Sequence, residues 1–254
     1  MSRIIAPDSP LSRLPAGLYP PQKGWIDGIR YSVDIADIAM HRLCADLQEL
    51  TRRSATGATN GAPVDPELQA CAVADAWTFV DAVWRLKRFL VDSNLPRPPG
   101  PPHAPIEDEE YTVDVRQLRT ALKPIKQLRD GYQHLDNHAP RIAENGDTVW
   151  GHLNWIALDS GSGAVRTCLL VTGDDGRATS NFSMVNPAGK TLHGPIDHIV
   201  LHAFESSANL SEVYLQLISA VRGLERVLGH QVPDHPQAVG GFLVVLDVQP
   251  QPLS

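Results

Sequence analysis

An arginine, an aspartate and a histidine stand within six residues near the middle of the chain, in Arg129-Asp130-Gly131-Tyr132-Gln133-His134. Histidine is the side chain that takes or gives a proton near neutral pH. Arginine stays charged and can aim two donors at one phosphate. Such a pair sets a proton carrier near a group that can hold a phosphate. Asp130, one helical turn before His134, could orient either partner. The same segment offers a second chemistry. Asp130, His134 and His138 recur at i, i+4 and i+8 along one side of a helix, and two histidines at that spacing are a reasonable metal-binding pair. A further ligand such as His41 or Asp136 would have to complete that set, and the H-E-x-x-H glutamate is absent.

These residues need a helix to hold them. Val115, Leu118, Leu122, Ile125, Leu128, Tyr132 and Leu135 form an apolar stripe that predicts a helix over about 113–139, kinked or split at Pro124 and stopped at Pro140. Two amphipathic helices precede it, over about 26–53 and 65–94; Asp65 and Pro66 suit the start of the second. Trp77 and Trp84, seven residues apart on that second helix, share a face that could meet the third helix or a partner. Residues 1–24 form a proline-rich arm that is expected to be non-helical, and Leu95–Pro105 is a stiff proline-rich connector. After Pro140 the pattern changes to strands within 149–204, at Val149–Leu158, Ala164–Thr172, Ala178–Asn186 and Ile196–Phe204, separated by glycine-rich turns. A last helix is expected over 210–228, capped by Asn209 and Glu212, and a final strand at 241–248. The expected architecture is therefore α+β: residues 25–254 as a single domain, a bundle of about four helices with an antiparallel β-meander inserted before the last helix.

The motif R-[polar]-x3-H on a helical bundle resembles the signature of the HEPN superfamily, whose enzymatic members are metal-independent RNases. The resemblance covers the helical portion and rests on one motif. It implies Arg129 as the motif arginine, Asp130 as the polar residue after it and His134 as the motif histidine. The implied reaction is attack of a ribose 2′-hydroxyl on the adjacent phosphate, in a toxin or defence setting, with RNA as partner, a homodimer as the active form and no cofactor. The chain departs from the toxin branch, where a tyrosine often stands two residues after the histidine; Asp136 stands there. Five residues at 3.6 per turn place Arg129 and His134 roughly 140° apart around an ideal helix, which suits a groove between two copies. A non-catalytic binding or assembly protein on the same scaffold, with a protein partner, fits the amphipathic helices and the two tryptophans equally.

Composition narrows the rest. A net charge of −7 works against broad electrostatic capture of nucleic acid, although Lys123, Lys126, Arg129 and Arg141 cluster around the motif. Cys44, Cys71 and Cys168 are odd in number and widely spaced, which fits neither a disulfide framework nor a zinc knuckle and suggests buried apolar positions. His193, His198 and His202 read as strand or edge histidines, the last two on one face. No phosphate loop, dinucleotide fingerprint or nucleophile elbow occurs. No apolar run reaches membrane-spanning length and the N-terminus lacks a signal-peptide pattern, so a cytoplasmic protein with no membrane partner is expected.

Overall fold

The computed structural model describes residues 3–15, 20–55, 64–90, 109–145, 148–159, 161–173, 184–231 and 236–238. Its helices are α1 (Pro20–Ala55), α2 (Pro66–Leu90), α3 (Glu109–Gln133), α4 (Leu135–Asn145) and α5 (Leu210–Gln231). Its strands are β1 (Arg13–Pro15), β2 (His152–Leu158), β3 (Val165–Val171), β4 (Ile196–Ala203), β5 (Ser206–Asn209) and β6 (Pro236–Ala238).

α1, α2, α3 and α5 form an up-and-down bundle. Trp25 at the start of α1 donates its Nε1 proton to the Phe89 carbonyl at the end of α2, at 2.8 Å, so those two helices run antiparallel. The apolar stripes read from the sequence are the buried ones: Ile26, Ile29, Val33, Leu43 and Leu47 of α1 face Ala76, Phe79, Val83 and Leu86 of α2, and Leu118, Leu122, Ile125 and Leu128 line α3. Each large side chain taken fully out of water contributes about 1.5–3 kcal/mol before entropy is set against it. The helix starts are capped as their residues require. Asp65 Oδ1 accepts from the Glu67 and Leu68 amides at 3.0 and 3.4 Å, and Asn209 Oδ1 accepts from the Glu212 amide at 3.2 Å.

β3-β2-β4-β5 is a four-stranded antiparallel sheet with β2 between β3 and β4. It sits at the end of the bundle where α1 stops and α2 begins. Trp155 of β2 donates to Thr51 Oγ1 of α1 at 3.1 Å, and Gln69 of α2 donates to the Val171 carbonyl of β3 at 2.9 Å. Leu153, Trp155, Leu170, Ile199 and Leu201 join the helical core from this side, so one apolar core serves both layers.

Several boundaries differ from the expectation. α1 begins at Pro20, inside the stretch expected to be non-helical, because two prolines in a first turn forfeit only amides that have no helical partner. α3 runs straight through Pro124; the carbonyl deprived of its bond belongs to Thr120, which is exposed to water. The helix divides instead at His134, and α4 continues past Pro140 to Asn145. Of the strand expected at Ala178–Asn186, residues 184–186 are irregular and the rest lies outside the described residues, as do the Leu95–Pro105 connector and the strand expected at 241–248. β5 fills the stretch between Phe204 and the last helix, to which the sequence reading assigned no element. Ala203 pairs with Ser206, which leaves Phe204 and Glu205 as a two-residue hairpin loop with φ of 52° and 59°.

The N-terminal arm is seated between α1 and α5. Arg3 pairs with Asp34 at 2.7 Å, the Ile4 amide donates to Asp37 at 3.1 Å, Ser9 donates to Glu225, and Ile5 and Leu11 are buried. Beyond it β1 pairs antiparallel with β6.

Candidate functional site

His134 is the joint between α3 and α4. Its amide donates to the Asp130 carbonyl at 3.2 Å, as the last bond of α3. Its own carbonyl accepts from the Asn137 and His138 amides at 3.0 and 3.3 Å, as the first acceptor of α4. The imidazole is exposed.

Arg129 turns toward α2. Its Nε lies 3.3 Å from Asp81 Oδ1 and its guanidinium carbon 5.6 Å from the centre of the Trp84 ring. Asp81 also holds Arg85 at 2.7 Å, so one carboxylate stands between two guanidiniums. Lys87 completes the group, its ammonium 4.6 Å from the centre of the same Trp84 ring. Asp130 pairs with Lys126 at 3.7 Å and is not engaged with Arg129 or with the His134 ring. Arg129 is thus engaged with α2, while the His134 imidazole is exposed at the joint.

The expected metal set does not assemble. His138 lies against Phe204, ring centres 5.8 Å apart, and Asp130 is paired with Lys126. Among the described residues no group of three or more His, Cys, Asp or Glu side chains is placed to hold a metal ion.

Next to the motif the structure brings together rings that are remote in sequence. Trp77 of α2 and Tyr132 of α3 have ring centres 5.2 Å apart at 31°, and Tyr132 and Trp150 are 5.8 Å apart at 40°. Trp77 Nε1 donates to the Trp150 carbonyl at 3.2 Å. Tyr132 is 42% exposed and Trp150 46% exposed, so the outer part of this row faces water. Two glycines set it in place. Gly131 lets the Phe204 ring lie against α3, where a Cβ would come within 2.6 Å of the ring. Gly151, at φ 75°, lets the chain pass the His202 carbonyl, which a Cβ would meet at 2.0 Å. The Thr148 and Thr172 hydroxyls hold the Gly151 carbonyl at 2.8 and 2.7 Å, and so fix Trp150 just before β2.

The sequence singled out Trp77 and Trp84 as a shared face, and that face meets α3. It missed Asp81, Trp150 and Phe204. Asp81 could have been found one turn from each tryptophan, at i+4 from Trp77 and i−3 from Trp84. Trp150 and Phe204 carry no such spacing, because only sheet pairing brings them to α3.

Other titratable groups are structural. Asp37 is 2% exposed and accepts from Tyr214 Oη at 2.6 Å and from the Ile4 amide. Burial and the Asp37 carboxylate push the Tyr214 phenol well above its usual range. His152 and His202, directly paired across β2 and β4, stack at 4.5 Å and 7°. Asn154 Nδ2 donates to His202 Nε2 at 2.8 Å, and burial holds both imidazoles below their usual pKa, His152 at about 4. A bulge opposite Trp155 separates His198 from the alternation expected with His202; His198 adopts φ 49° and bonds the Thr191 carbonyl. The three cysteines are free and half-buried, and burial pushes the Cys44 thiol up to about 11. A groove of about 440 Å³ between α3 and α5, lined by Arg116, Thr120, Asn209 and Gln216, contains none of the motif residues. No described helix is long and apolar enough to cross a membrane.

No family model matches this chain, and no curated protein or solved structure matches it either. The reading of its function rests on the geometry above.

Proposed function

We propose that this protein acts on RNA as a cytoplasmic, HEPN-like homodimer, cleaving it without a metal ion through His134 and Arg129. The observation that carries the reading is the placement of His134: an exposed imidazole at a helix joint, five residues after an arginine whose guanidinium is already oriented by Asp81 and Trp84. Within one copy Arg129 is held on α2 by Asp81, and in this reading the pair that works together comes from two copies meeting across the joint. His134 takes the proton of a ribose 2′-hydroxyl as that oxygen bonds to phosphorus. The bond to the 5′-oxygen breaks, that oxygen receives a proton, and a cyclic phosphate remains on the other fragment. Arg129 stabilises the phosphoryl oxygens as charge develops on them. Asp130, held by Lys126, is left with a supporting electrostatic role.

A second reading is a non-catalytic binding or assembly protein with a protein partner, on the same scaffold. The Arg129–Asp81 ion pair favours it, because that carboxylate already occupies donors a phosphate would need. One experiment separates the two. Purified protein is incubated with mixed cellular RNA in EDTA, beside Arg129→Ala and His134→Ala. Cleavage by the unsubstituted protein alone supports the nuclease; intact RNA in all three, with the protein folded, rules it out in favour of binding.

A further inference from the structure

We propose that the Trp150–Tyr132–Trp77 row is a binding site for unpaired nucleotides, on which the bases of a single-stranded RNA stack. This deepens the RNA reading above but stands on different residues, so either can fail alone.

Three rings in contact, two of them more than two-fifths exposed, leave flat apolar surface open to water at no evident structural gain. Base–aromatic stacking uses such surface, and tolerates any sequence because every base has a π-face. The row is also braced: Trp77 is hydrogen-bonded to the Trp150 carbonyl and backed by the Phe204 ring, and the Gly151 carbonyl beside Trp150 is held by Thr148 and Thr172. A platform ordered in advance loses little entropy when a ligand binds.

Charge selects the ligand. One turn along α2 from Trp77, and one turn along α3 from Tyr132, lies the Asp81 group. There one carboxylate faces Arg85 and Arg129, with Lys87 on the neighbouring Trp84. That end of the row is positive on a chain whose net charge is −7. Rings beside a local cationic excess match bases beside phosphodiesters; an acidic or neutral apolar strip would be the better match for a helix of another protein.

The test is fluorescence anisotropy of the full chain, in EDTA and low salt, with a labelled single strand of about 12 nucleotides and the matching duplex. The single strand is expected to bind in preference to the duplex. Trp150→Ala and Tyr132→Ala are each expected to weaken binding about tenfold, while Trp150→Phe and Tyr132→Phe, which keep a ring, retain it. Urea unfolding of all four variants separates lost binding from lost fold. Arg116→Ala, in the separate groove between α3 and α5, is expected to bind as the unsubstituted protein does, and binding is read whether or not cleavage is seen in any sample. The inference is overturned if the single strand does not bind, if duplex binds as well, or if the alanine variants bind unchanged while folded, which is the outcome for a row that serves a protein partner.

Discussion

The ring of Phe204 lies directly against Gly131, in the space a Cβ on that residue would occupy. Phe204 belongs to a two-residue hairpin loop in which both central residues, Phe204 and Glu205, have positive φ. Neither is a glycine or an asparagine, so the loop stores on the order of 1–3 kcal/mol per residue. The seat on Gly131, with the Trp77 and His138 rings close by, offsets that strain and joins the sheet to α3. Alanine favours a helix by about 0.8–1 kcal/mol over glycine. Here Gly131→Ala is nevertheless expected to destabilise, by about 1–3 kcal/mol, since the ring has to leave. Urea unfolding checks the sign. In Phe204→Ala the same glycine substitution should become neutral or stabilising, and a double-mutant cycle measures that reversal.

Acid should loosen the sheet before it loosens the bundle. His152 and His202 are held neutral in the fold, His152 at about 4, while in the unfolded chain both titrate at the ordinary histidine value. The unfolded state therefore binds protons first, and stability present above about pH 6.5 is lost as pH falls toward about 4. Both imidazoles are partly open to water, so the loss is discounted to about 1–2 kcal/mol. Thermal unfolding across that range should show the drop, and His152→Phe should flatten it.

Tyr214→Phe deletes one hydroxyl and leaves the Asp37 carboxylate buried with a donor fewer. A cost of about 1.5–3 kcal/mol is expected, the usual range for a hydrogen bond to a charged group. Asp37 also holds the Ile4 amide, so hydrogen exchange in the arm should quicken together with that of α5. Protection that changes in α5 alone would count against a shared tie.

Asp81→Asn removes the negative charge between Arg85 and Arg129. Stability should change by less than about 1 kcal/mol, because these ion pairs are partly exposed. Affinity for a single strand should instead rise several-fold at low salt, and its salt dependence should steepen. A fall in affinity would mean that Asp81 is needed to aim Arg129 rather than being a rival for it.

The helices were legible because their information is local. The stripes through Ile26, Phe79, Leu122 and Leu217 each repeat at helical spacing, and all four are buried. Helix ends were less so. Pro124 and Pro140 look like breaks in sequence, yet the helices run through both, while the actual joint lies at His134, which carries no such local signal. The candidate site divides in the same way. Arg129, Asp130 and His134 could be read as a motif, but the direction of Arg129 is set by Asp81, and the aromatic row exists only once β2 and β4 are paired. Residues brought together by pairing across long stretches of sequence leave no periodic trace.

The pairing of β1 with β6 has a kinetic consequence. Arg13–Pro15 must wait for Pro236–Ala238, so this short ladder closes a loop that spans nearly all of the chain. Loop-closure entropy makes such a contact unfavourable until everything between is compact. During synthesis the arm that carries β1 emerges long before β6, so the α1–α2 hairpin can assemble early while the pairing of the arm waits for that distant partner.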